Sequence, residues 1–172
     1  MDRVEELVTV RASTARMLDV LLGTENLRRW VAPDVAAIPL THASRLGPGD
    51  HFRIHVLGAL VFEYTLEAVS DREVVLAFTG PWSGSERWSF IADGAETIVR
   101  RVHEVHGGSL LGALAWNAVG RVAVLAHFKL ELSRFRDLAE REPGIRAEIE
   151  APAPRESSSG EPEPPSFPVD DG

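Results

Sequence analysis

The sequence contains no cysteine, so disulfides, thiolate nucleophiles and cysteine-bound metals are excluded, and redox chemistry says nothing about compartment. It also has no clustered run of Lys and Arg. With a formal net charge of -8 the counterion-release term that drives phosphate binding is missing, and no nucleic-acid partner is expected. A basic-then-apolar leader is missing too, since the chain starts Met1-Asp2-Arg3-Val4-Glu5-Glu6; the expectation is a cytoplasmic protein.

Several chemistries lack their motifs. Gly107, Gly108 and Gly112 have neither the lysine nor the spacing of a phosphate loop, and Gly80-Pro81-Trp82-Ser83-Gly84 does not centre its serine between two glycines as a nucleophile elbow does. His103 and His106 lie three apart on an expected strand and therefore point to opposite faces, so they cannot share an ion. No metal and no cofactor are expected. The nearest approach to a membrane span is 109–126, but Asn117 and Arg121 sit near its centre, where an Arg costs about 2.5–3.5 kcal/mol. A buried or half-buried helix is the better reading.

What is present fits one domain, 1–142, and an appendage, 143–172. The chain has 172 residues, 44% hydrophobic and 26% charged, enough for one sizeable core. From Pro143 onward the sequence is rich in Pro, Ser and Glu, with Phe167 its only aromatic. Such composition cannot offset the entropy of ordering, so a disordered acidic tail is expected, either solubilising or available to a protein partner.

Within the domain, Val4–Arg11 alternates as a strand does. Ser13 can cap a short helix through Leu22, ended by Gly23 in a left-handed conformation; Thr24 can cap a second that carries Leu27 and Trp30 before Pro33. From Val35 the period is two, and turn signals delimit strands at about 35–43, 51–57, 60–69, 73–79, 85–92 and 95–106. After Gly107-Gly108 a helical stripe follows: Leu114, Ala118, Val122, Leu125, Phe128, Leu132, Phe135 and Ala139. A helix that long with one apolar face must lie across the sheet. The fold class is therefore α+β: a curved antiparallel seven-stranded sheet wrapped around a long C-terminal helix, with two short helices after strand one.

This order, with Trp30 closing the second helix, Gly47-Pro48-Gly49-Asp50 before a strand, Leu66-Glu67-Ala68-Val69, Asp93-Gly94 followed by Thr97-Ile98-Val99, and a helix ending Phe135-Arg136-Asp137-Leu138-Ala139-Glu140, resembles the START-like (SRPBCC) superfamily. The likeness is to its polyketide cyclase/dehydrase and lipid-transport branch and covers Arg3 to Arg141. It implies the helix-grip fold and an internal cavity that serves carriers, enzymes and regulators alike.

Asp93-Gly94 reads as a two-residue type I′ turn, which pairs Ala92 with Ala95 and sets Phe90 opposite Thr97, Trp88 opposite Val99 and Glu86 opposite Arg101. All these lie on one face, with His103 one step on. That face is taken as the inner one because it collects Trp88, Phe90 and Val99. Glu86, Arg101 and His103 then point inward, either as a structural ion pair or as a polar anchor for a ligand. Phe62, Tyr64 and Leu66 of one strand and Val74, Leu76 and Phe78 of the next should also face in. A two-residue turn at Gly58-Ala59 would add His51, Arg53 and His55; a three-residue turn would add Phe52, Ile54 and Val56 and leave the polar residues in water, and is preferred. On the helix, Trp116, Gly120, Ala123 and His127 form a second stripe beside the packing stripe, with room beside its small members. Gly107, Gly108 and Gly112 would loosen the approach to it.

The ligand-contact set is thus Trp30, Phe62, Tyr64, Phe78, Glu86, Trp88, Phe90, Val99, Arg101, His103, Trp116, Gly120 and His127. The leading function is binding or transport of a small hydrophobic molecule, a lipid, quinone or polyketide-like aromatic, with transient membrane contact as one way to load it. One alternative is an aromatase/cyclase or dehydratase, in which Arg101 stabilises an enolate and Glu86, His103 or Tyr64 moves protons. Another is a regulatory domain that binds a protein.

Overall fold

The computed structural model describes residues 2–108, 114 and 116–141. The expected tail, 143–172, and Gly112 lie outside the described residues. Strand β1, Asp2–Val10, is followed by helices α1, Thr14–Leu22, and α2, Leu27–Trp30. Then come β2, Val35–Pro39; β3, His51–Val56; β4, Leu60–Val69; β5, Glu73–Thr79; β6, Trp82–Asp93; and β7, Glu96–Gly108. A π-helical turn, Trp116–Gly120, leads into α3, Arg121–Glu140. The strands form one antiparallel seven-stranded sheet in the order β1-β7-β6-β5-β4-β3-β2. First and last strands are neighbours, so the meander closes back on β1.

Alternation selects the buried face. On β4 and β5, Phe62, Tyr64, Leu66, Val74, Leu76 and Phe78 are buried, while Glu63 and Glu67 lie on the other side. The β3–β4 turn has three residues, with Val56 paired to Leu60, and Phe52 and Ile54 are buried as that turn length requires. Leu57 and Gly58 hold φ of 51° and 68° in it, which is costly for the leucine.

Helix α1 is capped by Ser13, whose Oγ accepts from the Arg16 amide at 3.2 Å, a contact worth about 1 kcal/mol against alanine. Helix α3 buries Phe128, Leu132, Phe135, Leu138 and Ala139 against the sheet. Phe135 meets Trp88 at 5.3 Å between ring centroids, and Trp88 meets Trp30 at 5.5 Å. These rings bind α2, α3 and the sheet into one core; each buried aromatic contributes about 1.5–3 kcal/mol through burial.

Several local expectations are corrected. Gly23 is extended, with φ of -64°; it is glycine because a Cβ would stand 2.7 Å from the Asp19 carbonyl. Thr24 does not cap α2: its hydroxyl donates to the Ala43 carbonyl, and Asn26 holds the cap position. β2 stops at Pro39, short of 43, and β6 begins at Trp82 rather than 85. The β6–β7 turn centres on Gly94-Ala95, with Gly94 alone in positive φ, so it has the Gly-first character of type II′. Register therefore moves by one pair: Phe90 faces Val99, Trp88 faces Arg101, and Glu86 faces His103. A shift of two residues in the sum preserves parity, and the inward set survives.

The helical stripe fails in its first half. Leu114 and Val122 are 61% and 73% exposed and Ala118 is exposed, while Trp116, Gly120 and Phe128 are buried. The π turn inserts an extra residue per turn, so α-helical spacing cannot be carried through it.

Candidate functional site

Two strands and one helix bring four charged or titratable side chains into the core. Glu86 comes from β6, Arg101 and His103 from β7, and Glu131 from α3; all are at most 4% exposed. Arg101 grips Glu86 with two hydrogen bonds, Nε to Oε1 at 2.9 Å and Nη2 to Oε2 at 3.1 Å, and donates from Nη1 to Glu131 Oε2 at 2.5 Å. Trp88 Nε1 donates to Glu86 Oε1 at 2.7 Å, and the Ala32 amide donates to Glu131 Oε1 at 3.2 Å. The guanidinium also lies 3.7 Å from the Phe128 ring centroid and 4.7 Å from that of Trp88.

Burying such charges is tolerable only when they are paired and their remaining hydrogen bonds are met. Burial alone would raise the Glu86 carboxyl; the Arg101 charge and the His103 hydrogen bond outweigh it and hold it at about 2. Arg101 is depressed by burial but driven up on balance by its two carboxylates. Both are ionised under ordinary conditions.

His103 is placed differently. Its Nδ1 lies 3.4 Å from Glu86 Oε2, its ring stacks on Phe78 at 4.3 Å and 9°, and Trp116 and Phe128 close two further sides. Its Nε2 is buried without a hydrogen-bond partner among the described residues. A buried orphan of this kind calls for a partner from a ligand or water.

Beside it is a cavity of about 260 Å³. Sheet residues Ile54, Phe62, Tyr64 and Trp82 form one wall; Gly120, Ala123, Val124, His127 and Phe128 form the helix wall; Arg101, His103 and Glu131 form the polar patch. At the rim, His127 Nε2 lies 2.9 Å from Asp34 Oδ2, which ties α3 to the loop before β2. Burial lowers the His127 pKa and the Asp34 hydrogen bond raises it, with a net rise; Asp34 is lowered by the same bond. Burial, then the Glu86 charge, push the Tyr64 phenol well above its ordinary range, so it stays neutral.

Of the sequence-derived contact set, Phe62, Tyr64, Arg101, His103, Gly120 and His127 line this cavity. Glu86 and Trp30 line a separate void of about 10 Å³ behind Arg101. Trp88, Phe90 and Val99 face inward but are packed within the core, and Phe78 and Trp116 flank His103 without lining the cavity. Glu131 and Trp82 escaped the sequence reading. Glu131 lies at helical spacing from Phe128 and Phe135, a signal that was available; Trp82 was hidden by Gly80-Pro81, read as a turn. His106 is exposed, opposite to buried His103, and no metal-holding cluster occurs among the described residues.

No protein-family model matches the chain, and no curated protein matches it in sequence. Solved structures do match. Protein CV1439 from Chromobacterium violaceum has a TM-score of 0.64 at 11% identity, covering 81% of this chain and 98% of that one. The Aha1 dimer from Colwellia psychrerythraea gives 0.62 at 14% identity, covering 84% and 100%. DynU16, of the dynemicin biosynthetic locus, gives 0.59 at 11%, covering 80% of this chain and 46% of DynU16. The chain has the helix-grip fold. At these identities the likeness speaks for architecture alone. Among the described residues no helix is long and apolar enough to cross a membrane.

Proposed function

We propose that this chain binds a compact, mostly apolar small molecule in the cavity between sheet and helix. The observation that carries the reading is a cavity of about 260 Å³ with apolar walls and one buried polar patch, the composition of a ligand pocket. An apolar cavity of roughly 150 Å³ accommodates benzene, so this one suits a molecule of about two rings better than a long acyl chain. A START-like carrier would have this form.

The neutral dye N-phenylnaphthylamine tests the reading. Its fluorescence should rise on mixing with the protein, and Ala123→Trp, which fills the helix wall, should abolish the rise while circular dichroism stays unchanged. No rise with the parent protein, or an equal rise with the variant, overturns it. Native mass spectrometry of protein from its own host should then show a co-purifying small molecule.

A second reading is favoured by His103, since a carboxylate-oriented imidazole with an unused Nε2 can move a proton on a bound ligand. In that cyclase-like role His103 is the base, because Glu86 is too firmly ionised and too well bonded to be one. Turnover of a supplied poly-ketone that His103→Gln left unchanged would remove this reading.

A further inference from the structure

The charge balance of the polar patch goes further than cavity shape. Two buried carboxylates, Glu86 and Glu131, surround a single guanidinium, and three of its five N–H groups already donate to them. His127 at the rim is matched by Asp34, and Tyr64 is neutral. Whether His103 is neutral or charged, the patch has no net positive charge. A ligand carboxylate would therefore lose its water without gaining a free cation, against two fixed negative charges.

The tautomer of His103 adds a second condition. Glu86 is ionised and can only accept, so the Nδ1 facing it at 3.4 Å carries the ring proton. In the neutral imidazole, Nε2 then presents a lone pair. That lone pair is the buried atom left without a partner among the described residues. What completes it is a hydrogen-bond donor.

Resting on the proposed binding function, we infer that the cavity selects a neutral hydroxylated aromatic over its carboxylate counterpart, with the ligand hydroxyl donating to His103 Nε2. Glu131 is the specificity-determining residue against anions, and His103 is the one that favours the hydroxyl. Neither role needs chemistry on the ligand.

Three probes of one ring system separate these terms: naphthol, methoxynaphthalene and naphthoate, displacing N-phenylnaphthylamine from the full chain at about pH 8, where an aromatic hydroxyl is neutral and a carboxyl ionised. Naphthol should bind at least about tenfold more tightly than each of the others. In His103→Phe the ratio of naphthol to methoxynaphthalene affinity should fall to about one. Glu131→Gln should raise naphthoate affinity relative to naphthol by about tenfold. Naphthoate binding as tightly as naphthol, or naphthol preference surviving in His103→Phe, overturns the inference and leaves the cavity reading standing. Failure of the dye and all three probes removes both. Should Glu131→Gln unfold by circular dichroism, the parent ranking still decides the exclusion of anions and the His103→Phe arm the preference for a hydroxyl.

Discussion

Toward Trp30, Trp88 and Phe135 the concave face of the sheet is filled down to a void of about 10 Å³, whereas toward Phe62, Trp82 and His127 it leaves about 260 Å³. The sheet offers large aromatics at both ends, so the sheet does not make the difference. The helices do. At the filled end α2 inserts Trp30 and α3 inserts Phe135; at the hollow end α3 presents Gly120, Ala123 and Val124. Arg101 lines both spaces and stands between a part that holds the fold and a part left for a ligand.

The sharpest way to break this contrast is at the divide itself. Arg101→Met leaves Glu86 and Glu131 buried without their cation and should cost about 3–5 kcal/mol in urea unfolding, and Glu86→Gln combined with Glu131→Gln should recover part of the loss. Recovery of nothing would mean the three groups do not act as a unit. Next, Phe135→Ala in the filled end should cost about 3–5 kcal/mol, while Ala123→Leu in the hollow end should change stability by less than about 1 kcal/mol and weaken dye binding. Equal costs at both ends would erase the distinction between them.

Acid should strike the divide before neutral pH affects the rim. Glu86 is held at about 2 against 4.5 unfolded, so its contribution is complete above about pH 4.5 and lost as pH falls toward 2. Unfolding free energy should fall across that window with up to one proton's slope, about 1.4 kcal/mol per pH unit, beyond that of Glu86→Gln. The smallest effect belongs to His127. Its pKa is raised, so its pairing with Asp34 contributes below about pH 6.5 and is lost as pH rises through the folded value. At so exposed a site the loss should stay below about 1 kcal/mol and vanish in His127→Asn.

Much of this contrast is legible in the sequence. Period-two alternation is insensitive to a register shift of one pair, so Glu86, Arg101 and His103 are inward whether the turn centres on Asp93-Gly94 or on Gly94-Ala95. What alternation cannot supply is depth: Trp88, Phe90 and Val99 share that face yet belong to the filled end, because which helix residue lies above each is a tertiary matter. The helix was less legible. A π turn breaks the 3.6 period between Trp116 and Gly120, and a stripe sought only among apolar residues passes over Glu131, although Phe128 and Phe135 bracket it at helical spacing.

The pairing of β1 with β7 joins Val4 to His103 and Val10 to Thr97. During synthesis the first strand therefore has no partner until nearly the whole sheet has left the ribosome. The β6–β7 hairpin can form early, carrying Glu86 and Arg101 as a local pair still open to water. Loop-closure entropy favours that order, and α3, made after the sheet, brings Glu131 to the pair when it docks. Docking of the helix thus shuts water out of a charged site already assembled on the sheet. A helix that cannot supply Glu131 leaves the Arg101 Nη1 donor without its acceptor, a group the sheet has reason to keep wet.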